Sequence, residues 1–164
     1  MEKEKLKILL VDDEKEFVES LSERLELRNL EADIAYDGEQ ALDALKKGKH
    51  DVMVLDLRMP GIDGIEVLRR AKKRNPDVQV VVLTGHGTEK DEERARKLGA
   101  SAYMKKPVDI DHLVGTLNKV WSRLKKSKKA VDTLIMASAF AQVGETEMAR
   151  KTMEEFMEEN EDDK

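Results

Sequence analysis

Apolar positions repeat with two alternating periods along most of this chain. Leu6-Lys7-Ile8-Leu9-Leu10-Val11 is an almost unbroken apolar run, which reads as a strand covered on both faces. From Glu14 to Arg28, Phe17, Val18, Leu21, Leu25 and Leu27 recur at helical spacing. Leu30 to Ala35 alternates and predicts a second strand. Tyr36-Asp37-Gly38 reads as a turn whose Asp37 caps a helix carrying Ala41, Leu42 and Leu45, and Gly48 ends that helix. Asp51 to Asp56 predicts the third strand, and Met59-Pro60-Gly61-Ile62-Asp63-Gly64 is a turn-rich loop. A third helix is expected from Ile65 to Arg74, stopping before Asn75-Pro76. Gln79 to Leu83 predicts the fourth strand and Glu89 to Leu98 a polar fourth helix, closed by Gly99. Ala100 to Lys105 holds a short fifth strand. Asp109 to Lys125 is expected as a fifth helix with Ile110, Leu113, Leu117, Val120 and Leu124 on one side. Five strand–helix units in strict alternation predict an α/β fold, a parallel sheet with helices on both faces.

The pattern changes after residue 125. Arg123, Lys125, Lys126, Lys128 and Lys129 form a basic stretch, and two further helical patterns follow, about 131–143 and 146–158, with Gly144 as a break between them. Met136, Phe140 and Val143 share one helical face, and Ala149, Met153 and Phe156 share another, with Met157 beside them. One such hairpin cannot bury its own apolar face, so it packs on the preceding domain, on a copy of itself or on a partner. The acidic end, residues 158–163, is expected to fray.

Composition narrows the class. The 164 residues are 40% hydrophobic and 40% charged, with a net charge of −5. A mildly acidic chain is a poor electrostatic match for nucleic acid, and direct DNA binding is not expected. There is no cysteine, so disulfides and thiolate metal sites are excluded. No apolar run approaches a membrane span, and Met-Glu-Lys-Glu-Lys leads into no signal-peptide core. A cytoplasmic protein is the expectation.

The chemistry gathers at strand ends. Asp12 and Asp13 close the first strand, Asp56 the third and Thr84 the fourth, while Lys106 follows the fifth just before Pro107. In an open parallel sheet these ends lie at one edge, where ligands bind. Three carboxylates there repel one another unless a cation sits among them, and a hard, oxygen-ligated Mg²⁺ suits them best. A lone Asp at a strand end is usually a turn former or a cap; the combination is what carries weight here.

This combination resembles the receiver domain of bacterial response regulators. The loop Asp56-Leu57-Arg58-Met59-Pro60-Gly61-Ile62-Asp63-Gly64 and the segment Gly99-Ala100-Ser101-Ala102-Tyr103-Met104-Lys105-Lys106-Pro107 carry the likeness, which spans about residues 5–125. The resemblance implies a flavodoxin-like (βα)5 doubly wound sheet of order 2-1-3-4-5, with a receiver over 1–125 and a helical extension over 126–164. It implies Asp56 as a nucleophile that takes a phosphoryl group from a histidine kinase or a histidine phosphotransfer protein. Mg²⁺ would be held by Asp13, Asp56 and the backbone carbonyl of Arg58, with Asp12 acting through water. Lys106 would pair with a phosphoryl oxygen and the Thr84 hydroxyl with another. Tyr103 would turn inward as Thr84 moves, altering the surface of the fourth helix, fifth strand and fifth helix. Such a protein promotes its own phosphorylation without turning over an external substrate. The expected form is a receiver with no attached output domain, with a homodimer through the fifth helix and the C-terminal helices as one mode of assembly.

Three rival classes are weighed against this reading. A haloacid-dehalogenase-type phosphatase wants Asp-x-Asp after the first strand, whereas this chain has Asp12-Asp13-Glu14. A flavin or nucleotide binder wants a Gly/Ser/Thr-rich loop where these acids stand. A receiver fold serving only as an interaction scaffold would not need the full set of site residues.

Overall fold

The computed structural model describes residues 4–142, 150–155 and 157, the last three residues of the first stretch by their backbone alone. Strands β1 (Ile8–Val11), β2 (Ala32–Ala35), β3 (Val52–Leu55), β4 (Gln79–Thr84) and β5 (Ala102–Lys105) alternate with helices α1 (Lys15–Glu26), α2 (Gly38–Lys46), α3 (Gly64–Arg74), α4 (Glu89–Lys97) and α5 (Ile110–Gln142). All strand pairs are parallel, and the sheet order is β2-β1-β3-β4-β5, as expected.

The period-2 alternation of the central strands divides the core in two. Leu9, Val11, Met53, Leu55, Val80 and Val82 face one side and pack with residues of α2, α3 and α4. Ile8, Leu10, Val52, Val54, Val81 and Leu83 face the other and pack with α1 and the first turns of α5, through Val18, Leu21, Leu25, Leu113 and Leu117. Leu9, Met53, Leu55, Leu113 and Leu117 have no solvent exposure. Truncating any one of them to alanine costs about 2–5 kcal/mol.

Helix starts follow cap chemistry. Asp37 accepts a hydrogen bond from the Gln40 amide at 2.8 Å, and Asp63 accepts one from the Glu66 amide at 2.9 Å. Thr88 and Asp91 cap α4 reciprocally, a box the sequence reading did not single out.

Among the boundaries that differ from expectation, three have a physical cause in the structure. Strand β2 starts at Ala32, because Leu30 closes α1: its amide donates to the Leu25 carbonyl, with Asn29 in the left-handed region at φ 61°. Strand β5 starts at Ala102 for the same kind of reason, since the Ala100 amide donates to the Ala95 carbonyl at the end of α4. The largest correction concerns α5. It does not stop near Lys125 but continues through the basic stretch to Gln142. Lysine, serine and alanine at 126–130 are tolerated in a helix, and no glycine or proline lies between residues 116 and 143.

The chain divides into two compact units, 1–121 and 122–164. In the second unit, Val131, Leu134, Ile135 and Met136 are exposed on α5. Residues 150–155 and 157 are helical, within the second expected C-terminal helix. The expected break at Gly144, the faces at Val143, Ala149 and Phe156, the Phe140 side chain and the acidic end lie outside the described residues. Among the described residues no helix is long and apolar enough to cross a membrane.

Candidate functional site

The register of the sheet builds the site. Val11 lies level with Ala35 on β2 and with Leu55 on β3, so Asp12 and Asp56 leave neighbouring strands at the same height. Backbone bonds hold both in place: the Asp12 amide donates to the Ala35 carbonyl at 3.1 Å, and the Asp56 amide to the Val11 carbonyl at 3.0 Å. On the other side, the Lys106 amide donates to the Thr84 carbonyl at 3.0 Å, just past the pairing of Thr84 with Lys105. The Lys106–Pro107 peptide bond is cis. Lys105 is exposed, whereas the Lys106 ammonium reaches into the site, the opposite facing expected of adjacent strand residues.

One ammonium is shared by several carboxylates. Lys106 Nζ lies 2.6 Å from Asp12 Oδ2, 3.2 Å from Glu14 Oε1 and 3.5 Å from Asp56 Oδ2, and 4.2 Å from the centre of the Phe17 ring. Asp12 and Asp56 are each 4% exposed. Burial pushes the Asp12 carboxyl above its ordinary value, outweighing the hydrogen bonds from Lys106 and the Glu14 amide. Burial by itself draws the Lys106 ammonium down. Its hydrogen bond to Asp12 and the fields of Asp12 and Asp56 overcome this, leaving it above its ordinary value.

Asp12, Asp13 and Asp56 each offer a carboxylate oxygen, and these atoms lie within 4.8 Å of one another. Hard oxygen donors at this density, on residues partly or fully buried, suit a divalent ion such as Mg²⁺. The Arg58 amide donates to Asp56 Oδ1 at 3.2 Å, so the loop after β3 folds back onto the same carboxylate. Gly64 is what allows this fold-back. A Cβ there would strike the backbone of Leu57 and Asp56, so α3 could not start so close to the loop.

Thr84 is buried, with its Oγ1 facing the His86 amide at 3.5 Å. Tyr103 is half-buried and packs against the α2–α3–α4 side of the core with its hydroxyl buried, so the inward position expected to follow movement of Thr84 is already taken in this structure. His86 is exposed.

A family model of the response regulator receiver domain matches residues 8–118. The chain belongs to that family. Response regulator MprA of Mycobacterium avium (strain 104) is 31% identical over 125 residues, which are 76% of this chain and 55% of that protein. MprA of Mycobacterium tuberculosis (strain ATCC 25618 / H37Rv) is also 31% identical, over 54% of its length. The chain thus spans about half the length of these relatives. Among solved structures, a CheY-like receiver domain protein from Methanospirillum hungatei JF-1 aligns with a TM-score of 0.73 at 25% identity, covering 76% of this chain and 99% of that one. A receiver domain protein from Clostridium thermocellum aligns at 0.70 and 33% identity, covering 73% and 97%.

This receiver brings Asp12, Asp13, Asp56, Thr84 and Lys106 to one edge of its sheet, and Arg58 with them through its backbone. Two contributors were not singled out from sequence, Glu14 and Phe17, both against the Lys106 ammonium. For Glu14 the signal was present as a third consecutive acid after β1. For Phe17 there was none, because its position also fits the buried stripe of α1.

Proposed function

We propose that this receiver accepts a phosphoryl group on Asp56 from the phosphohistidine of a histidine kinase or a histidine phosphotransfer protein, and that the modification switches its partner-binding surface. The observation that carries this reading is the shared ammonium of Lys106 between Asp12 and Asp56, beside a third acid on the same strand end. An Asp56 carboxylate oxygen attacks phosphorus while the phosphorus–nitrogen bond of the donor breaks. The electron pair stays on the leaving nitrogen, and a proton on the other ring nitrogen lets the imidazole leave neutral. The product is an acyl phosphate, and the reaction needs alignment and charge stabilisation more than any further group.

Asp12, Asp13, Asp56 and the Arg58 carbonyl would hold Mg²⁺, which when bound neutralises charge on the phosphoryl oxygens. Lys106 exchanges its carboxylate partners for a phosphoryl oxygen, serving as a compact cation. The Thr84 hydroxyl donates to another oxygen, and the position of Tyr103 reports the change on the surface of α4, β5 and α5. The output is partner binding, onward transfer of the phosphoryl group or pairing of two chains through α5 and the C-terminal helices. No direct contact with DNA or membrane is needed, and the setting is cytoplasmic.

Incubation with a small acyl-phosphate donor and Mg²⁺, followed by intact mass, tests this. The expected result is one added phosphoryl group on the wild type, none on Asp56→Ala and none after chelation. Steady release of inorganic phosphate from a generic phosphate ester would favour a phosphatase instead.

A further inference from the structure

Gly87 is a glycine for a reason its backbone does not supply. Its φ is not in the left-handed region, where the chain's Gly48, Gly61 and Gly99 are found. Space is the constraint. A Cβ at Gly87 would collide with the Tyr103 hydroxyl, and would stand 3.0 Å from Tyr103 Cζ and 2.7 Å from Thr84 Cγ2. The tip of Tyr103 occupies the volume that any other residue at position 87 would fill.

The seat around that tip is tied to the phosphoacceptor site on two sides. Its floor is Thr84, at the end of β4. Its charged surroundings are the first turn of α4 and the loop after β3: Tyr103 is raised above its ordinary value by burial first, then by the charges of Asp91 and Glu92, with Arg58 opposing. Asp91 also caps α4 with Thr88 and lies 3.5 Å from the guanidinium of Arg58, two residues past Asp56. The Tyr103 hydroxyl is itself buried with no hydrogen-bond partner among the described residues. The inward position therefore rests on shape rather than on a polar bond, and a group left unpaired in this way is readily released.

We infer that Gly87 is a positioning residue whose missing side chain forms the seat for Tyr103, and that the size of residue 87 decides whether the inward position is available to the switch. The link to signalling rests on the phosphoacceptor reading above; the seat is a packing claim independent of it. Gly85, two residues away, is the natural control, because a Cβ there would meet only the Lys106 stem at 3.7–3.8 Å, an ordinary contact.

The chain has two tyrosines, so full-length protein labelled with 3-fluorotyrosine gives two ¹⁹F resonances, assigned with Tyr36→Phe. Broadening by a soluble gadolinium chelate reads exposure, and intact mass after acyl-phosphate treatment reads phosphoryl acceptance in the same samples. In wild type and Gly85→Ala the Tyr103 resonance should be protected. In Gly87→Ala it should broaden several-fold more, approaching Tyr36, while phosphoryl acceptance stays at the wild-type level. Continued protection of Tyr103 in Gly87→Ala overturns the seat. Should Gly87→Ala not fold, it is combined with Tyr103→Ala, which empties the seat. Folding of the double variant then supports the proposal, and failure of both overturns it. If Tyr103 is released as expected but no protein takes a phosphoryl group, the seat stands and the phosphoacceptor reading falls.

Discussion

Lys106 is the residue on which the charge balance of the site turns. Its side chain is 12% exposed and touches three carboxylates, two of which are buried. Because its folded pKa lies above the ordinary 10.5, the stability it contributes is fully present below pH 10.5 and is lost as pH rises through the folded value. Asp12 is also raised, from 3.8, so its contribution is present below that value and lost as pH rises through the raised pKa. Ionisation of Asp12 in the fold is therefore a cost, which a cation offsets. Lys106→Met should unfold at lower urea than wild type at pH 7, by about 1–3 kcal/mol, since buried carboxylates lose their partner. The gap between the two should narrow above pH 10.5. A constant gap from pH 7 to 12 would show that the ammonium contributes packing only. The residues of this site were legible because strand ends are marked in the sequence by a change from apolar run to acid. Phe17 and Gly87 were not, since their roles depend on what lies across the fold.

At the scale of elements, the strands and the first four helices could be read because short apolar runs alternate with stretches of helical period. Where the reading erred, the residue had a local task it did not reveal. Leu30 and Ala100 look like strand starts, yet their amides close the preceding helices. The basic stretch after Arg123 looked like a boundary, but charge is no helix breaker and α5 runs through it over 33 residues, about 50 Å at the usual rise. All residues of both core clusters lie at or before Val120. A chain cut after Lys126 should therefore keep its near-ultraviolet circular dichroism and accept a phosphoryl group to the wild-type extent. Loss of cooperative unfolding in the cut chain would mean that the later helix is part of the receiver's own stability.

For the whole molecule, the site draws on β1, β3, β4 and β5, so no single segment contains it. That arrangement suits a switch, because one local charge event bears on several elements together. Val131, Leu134, Ile135 and Met136 are exposed apolar residues on α5. The most direct measurement locates the modified residue. Borohydride reduces an aspartyl phosphate to homoserine, and peptide mapping after acyl-phosphate treatment in Mg²⁺ shows where. Homoserine at position 56 alone is the predicted result; homoserine at position 12 or 13, or at none, would contradict the account.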